Sequence, residues 1–119
     1  MKIVKFGGSS LATGTSVEQA LKIILSDTER QVVVVSAPGK RSNDDIKVTD
    51  LLIKYANATL NQEDPQEIVR QIFARYQEIG QYFGLNKQEL TTIQSILLNL
   101  PKKSIPQRQL LNGSFQSTW

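Results

Sequence analysis

The chain has 119 residues, 39% hydrophobic and 21% charged, a balance that excludes a disordered chain and suits one small globular domain with a thin core. It has no cysteine and no histidine, which excludes disulfides, thiolate metal sites, a cysteine nucleophile and the commonest general base at neutral pH. The formal net charge is +3 and its excess is Lys102, Lys103 and Arg108, because the eleven acidic residues before Pro101 are matched by eleven basic ones. A nucleic-acid surface gathers charge on a folded face with aromatics between, so no nucleic-acid partner is expected. No apolar run is long enough to span a bilayer. Met1 to Lys5 leads directly into a strand without a signal-peptide core, so the expectation is a cytoplasmic protein with no membrane partner.

Lys2 to Phe6 is a short apolar segment ending at Gly7-Gly8 and reads as the first strand. Thr15 or Ser16 is expected to cap a helix, because Val17, Ala20, Leu21, Ile24 and Leu25 then recur at helical spacing. Gln31 to Ser36 contains four consecutive valines without polar alternation, the pattern of a central strand covered on both faces. Strand, helix and strand over this span form a βαβ unit. Ala37 to Lys47 holds Pro38-Gly39, Asn43 and Asp44-Asp45 in a nearly even mix of charges, and reads as a flexible, solvated loop.

The remainder reads as helical. Val48, Leu51, Leu52, Tyr55 and Ala56 share one face of a helix from Val48 to Leu60. Asp64-Pro65-Gln66-Glu67 predicts a capped start, with Asp as N-cap, Pro in the first turn and Glu reaching back. Ile68, Ile72, Phe73, Tyr76 and Ile79 continue that helix towards Gly84. Asn86 to Glu89 repeats the capping pattern, Leu90, Ile93, Leu97 and Leu100 supply the next stripe, and Pro101 ends it. Residues 1–100 thus read as one portion of a domain and 101–119 as an irregular or divergent tail. Two strands do not make an independent sheet, so the fold class is α/β with an incomplete sheet.

Lys5-Phe6-Gly7-Gly8-Ser9-Ser10 is the segment that points to chemistry. Adjacent glycines at a strand end let backbone N–H groups approach phosphate oxygens without interfering Cβ atoms. Ser9 adds a hydroxyl, and Lys5 an ammonium able to stabilise a transferring phosphoryl group. Neither the Walker nor the dinucleotide spacing is met. On these residues alone, a structural turn beside a solvated lysine is an equal alternative.

Lys5-Phe6-Gly7-Gly8-Ser9-Ser10-Leu11-Ala12 resembles the N-terminal signature of aspartokinases, with Ser9 where threonine is commoner. Val32 to Gly39 is similar to that family's second strand and its Ser-Ala loop, and Val48-Thr49-Asp50-Leu51-Leu52 to the segment opening the following helix. The resemblance covers roughly residues 1–100. It implies a partial amino-acid-kinase (carbamate-kinase-like) fold and an ATP-dependent kinase of the L-aspartate side chain that uses Mg2+ and serves amino-acid biosynthesis. It further implies that Lys5 contacts the ATP phosphates catalytically, that Phe6, Gly7, Gly8 and Ser9 line the nucleotide site, and that Ser36 and Thr49 lie beside the substrate. No dedicated metal-ligand set is expected.

Taken alone, Ser36 reads as a strand-end hydroxyl satisfying local backbone and Thr49 as a plain helix N-cap. The family's later Gly-Glu motif and its Arg and Asp have no counterpart here, Asn112 to Gln116 standing where the Gly-Glu is expected. The chain therefore reads as an N-terminal part with little or no activity alone. Alternatives are another amino-acid kinase, or a non-catalytic domain binding an anion, a nucleotide or another chain. A partial sheet edge is a reason to expect homo-oligomers.

Overall fold

The computed structural model describes residues 1–103. Strand β1 (Lys2–Phe6) leads into a 3-10 turn (Gly8–Leu11) and helix α1 (Gly14–Leu25). Strand β2 (Arg30–Val35) is followed by a loop and by helices α2 (Val48–Leu60), α3 (Gln66–Tyr82) and α4 (Lys87–Asn99), closing on a 3-10 turn (Leu100–Lys103). The strands pair in parallel, from Ile3 opposite Val32 to Phe6 opposite Val35, with a register shift between Lys2 and Ile3 that leaves Gln31 as an extra residue on β2. This is the mixed α/β arrangement the sequence predicts, a parallel βαβ start followed by helices. Residues 104–119, most of the expected tail, lie outside the described residues.

The core lies among the last three helices rather than on the sheet. Val48, Leu51, Leu52 and Tyr55 of α2 pack against Val69 and Ile72 of α3 and Leu97 of α4. Val48 and Ile72 are fully buried. Burying side chains of this size contributes roughly 1.5–3 kcal/mol each. The polar end of Tyr55 is satisfied by donating its hydroxyl to the Leu97 carbonyl at 2.8 Å. The Asn86–Glu89 capping box forms in both directions, the Asn86 side chain accepting from the Glu89 N–H at 2.8 Å and the Glu89 carboxylate from the Asn86 N–H at 3.2 Å.

Four expectations need correction. First, α1 is capped by Thr13, whose side chain accepts from the Ser16 N–H at 3.2 Å, not by Thr15 or Ser16. Gly14, the first residue of the helix, lies against the Tyr82 ring, which leaves no room for a Cβ. Second, α3 starts without a capping box. Asp64 accepts from the Gln66 N–H at 3.0 Å, but Glu67 turns outward to Arg70.

Third, β2 is not covered on both faces. Val32 to Val35 are 39–60% exposed, because β1 is the strand's one partner among the described residues. On the α1 side, Phe6 and Ala20 are buried and border a shallow hollow of about 240 Å³ with Ser10, Ser16, Gln19 and Ile23. Ile3, on the other face, is 67% exposed. The sheet is incomplete, as expected, and its valines are correspondingly open. Fourth, the loop after β2 is tethered rather than free, through contacts described next.

Candidate functional site

The parallel strands end side by side, and the segments that leave them touch. The Ser36 N–H donates to the Phe6 carbonyl at 3.3 Å, and the Gly39 N–H donates to the Gly8 carbonyl at 2.8 Å. The contact is close enough to require glycine. A Cβ on Gly39 would lie 2.7 Å from the Gly8 carbonyl carbon, and one on Gly8 would lie 3.1 Å from the Ala37 oxygen. The start of α2 joins the same point, because the Val48 N–H donates to the Pro38 carbonyl at 3.0 Å. Three segments far apart in sequence therefore meet at the C-terminal end of the strands, where open α/β sheets bind ligands.

Within this cluster Gly7 differs from its neighbours. Nothing lies within 4 Å of where its Cβ would be, and its φ of −77° is one any residue adopts. Neither packing nor backbone conformation demands glycine there. Among the described residues, the N–H groups of Gly7, Gly8 and Ser9 donate to nothing. Successive unpartnered N–H groups on an open turn form an anion-binding concavity. Lys5 is exposed and makes no salt bridge with any described residue. The turn can therefore receive an anion, and Lys5 stands two residues before it on β1. Phe6 is the buried anchor beneath it.

Ser36 and Thr49 are both exposed, and neither hydroxyl makes a hydrogen bond among the described residues. The local roles considered for them are thus absent. Ser36 satisfies the backbone through its N–H, not its hydroxyl, and the N-cap of α2 is Lys47, with Thr49 second in the helix. Ser36 joins the cluster through its own N–H and Thr49 follows Val48, which does so, and both hydroxyls are unclaimed. No group of three or more His, Cys, Asp or Glu that could hold a metal occurs among the described residues.

Sequence reasoning missed Arg75. It is 3% exposed, and its guanidinium donates to the Gly39 carbonyl, to Ala12 O at 3.3 Å and to Ile46 O at 2.9 Å. Asp45 stands 3.4 Å away, and it also takes Arg41 at 2.7 Å, which reaches on to Glu78 at 2.7 Å. Hydrogen bonds from Arg41, with Arg75 nearby, hold the Asp45 carboxyl well below the usual carboxylate range. Burial pulls the Arg75 pKa down while Asp45 opposes it. The available signal was position: Arg75 falls three residues after Ile72 and four before Ile79, on the buried stripe of α3.

No protein-family model matches the chain. Aspartokinase 3 of Bacillus subtilis (strain 168) is 41% identical over 112 residues, covering 92% of this chain and 25% of that protein. An aspartokinase of Chlamydia pneumoniae is 34% identical over 77 residues, covering 65% of this chain and 15% of that one. The crystal structure of Clostridium acetobutylicum aspartate kinase superposes with a TM-score of 0.70 at 34% identity over 82% of this chain and 23% of its own. The chain belongs with the aspartokinases. It spans a quarter or less of the length of these relatives. The glycine turn, the Ser36–Gly39 loop and the start of α2, which carry the aspartokinase resemblance, are the segments that meet in space.

Proposed function

We propose that this aspartokinase chain supplies the phosphate-binding turn and part of the acceptor site of an ATP-dependent aspartate kinase. The observation that carries the reading is the open Gly7–Ser9 turn, with unpartnered N–H groups and an exposed Lys5, held against the Ser36–Gly39 loop. In the reaction, an oxygen of the aspartate side-chain carboxylate attacks the γ-phosphorus. The bond from that phosphorus to the β,γ-bridging oxygen breaks, giving an acyl phosphate and ADP. Gly7, Gly8 and Ser9 receive phosphate oxygens, Lys5 offsets charge on the transferring group, and the hydroxyls of Ser36 and Thr49 face the amino acid. Magnesium, when bound with the nucleotide, neutralises charge on the phosphates. Such an ion would be held mainly by the phosphates and water.

Support comes from the family match and from the empty space beside Gly7. The further roles proposed are a cytoplasmic enzyme of amino-acid biosynthesis and a homo-oligomer, the latter motivated by the exposed β2 valines. The chain alone is expected to bind without turning over, because it spans a quarter or less of the length of its relatives. A titration with MgATP followed by backbone amide shifts tests the reading. Movement at Gly7, Gly8 and Ser9 is expected, while shifts confined to other surfaces refute the site. Measurable aspartate-dependent ATP turnover by the purified chain overturns the inactive part, and a clean monomer by light scattering overturns the oligomer.

A further inference from the structure

We infer that Arg75 is a positioning residue that locks the loop after β2 against the glycine turn, and so sets the distance between the two halves of the site. It touches neither. Its guanidinium is nine-tenths or more buried and divides its donors among three carbonyls from different segments: Ala12 just past the turn, and Gly39 and Ile46 at the two ends of the loop. A planar fork can hold such divergent acceptors at once, whereas an ammonium is a point charge on a flexible stem. Burying a cation for packing alone is costly, because an apolar side chain serves as well or better there. Here the charge faces Asp45, and Asp45 in turn fixes Arg41 by its N–H at 2.9 Å and its guanidinium. The Arg75 Nε lacks a partner, so the side chain's orientation follows its terminal nitrogens. The Gly39 and Gly8 backbones are close enough to exclude a Cβ, and Arg75 binds the Gly39 carbonyl immediately beyond that contact. Ser36 is three residues away on the same loop. Release of Gly39 therefore moves a candidate substrate contact relative to Lys5 and Gly7.

The test compares Arg75→Met, Arg75→Lys and a destabilised core control, Leu97→Ala, by amide hydrogen exchange and MgATP titration. Arg75→Met is expected to speed exchange at the Gly39 amide about tenfold more than at the buried amides of α2, a local opening rather than a global one. Arg75→Lys keeps a cation facing Asp45, so it folds even where Arg75→Met does not, yet the same Gly39 amide opens. Leu97→Ala lowers the melting temperature without opening Gly39 selectively. Where MgATP binds the wild type, both Arg75 variants weaken it about tenfold and Leu97→Ala does not. The nucleotide arm rests on the proposed function and the exchange arm does not. Selective opening with no nucleotide binding by wild type retains the positioning role and sinks the functional reading. Unchanged Gly39 exchange in either Arg75 variant, or full restoration by lysine, overturns the role of the fork.

Discussion

Two glycines in one cluster have different reasons to be there. Gly39 is required by close approach to Gly8, so Gly39→Ala is expected to cost about 1–3 kcal/mol of stability, measured by urea unfolding, as overpacking does. Gly7 is required by neither space nor backbone angle. Gly7→Ala should leave stability within about 0.5 kcal/mol of wild type. On the proposed function it should still weaken MgATP binding, because the methyl group enters the open space beside the turn. The glycine pair at the strand end was visible in sequence, but on those residues alone a structural turn beside a solvated lysine was an equal alternative, and only the family resemblance favoured a phosphate site. Arg75 was not legible, because one arginine on an apolar stripe looks like a solvated edge. Only the carbonyls of Ala12, Gly39 and Ile46, brought together by folding, give its donors a purpose.

At the scale of elements, capping chemistry was read correctly at α4 and misread at α1 and α3. The Asn86–Glu89 box needs only four consecutive residues and formed as expected, so Asn86→Ala should lower stability by about 1 kcal/mol in thermal unfolding. Asp64→Ala should cost less than Asn86→Ala in the same measurement, because Asp64 serves one N–H and Glu67 never closes the box. The cap of α1 was placed two or three residues late although its bond is local, and the packing beside it was not legible because it is tertiary. Tyr82 lies on Gly14, and no local pattern reports that. The loop after β2 read as flexible for the same reason. Its charges are balanced in sequence but paired in space, Arg41 with Asp45 and Glu78, and Asp45 with Arg75. The four valines of β2 correctly signalled a strand but not one covered on both faces, and they stand partly open because β1 alone pairs with it among the described residues.

For the whole molecule, the helical core and the ionic tether respond to different conditions. Asp45 has its carboxyl pKa depressed in the folded state, chiefly by the Arg41 hydrogen bonds. A depressed carboxylate contributes stability above its unfolded value of about 4 and loses it as pH falls towards the folded value. Asp45→Asn should therefore be less stable than wild type at pH 7, with the gap closing below about pH 4 in parallel thermal melts. Salt should narrow the same gap, since Arg41 and Glu78 face solvent. The anchoring Tyr55–Leu97 and Val48–Ile72 packing carries no such dependence, so the core should outlast the tether in acid.

The most direct test is the affinity of MgATP for the wild-type chain and for Lys5→Met, read by calorimetry beside their melting temperatures. Lys5 is exposed and bonded to no described residue, so its loss should leave the melting temperature unchanged while weakening MgATP about tenfold, the loss of one charge-assisted contact. Equal affinity for both chains would contradict a phosphate site at this turn.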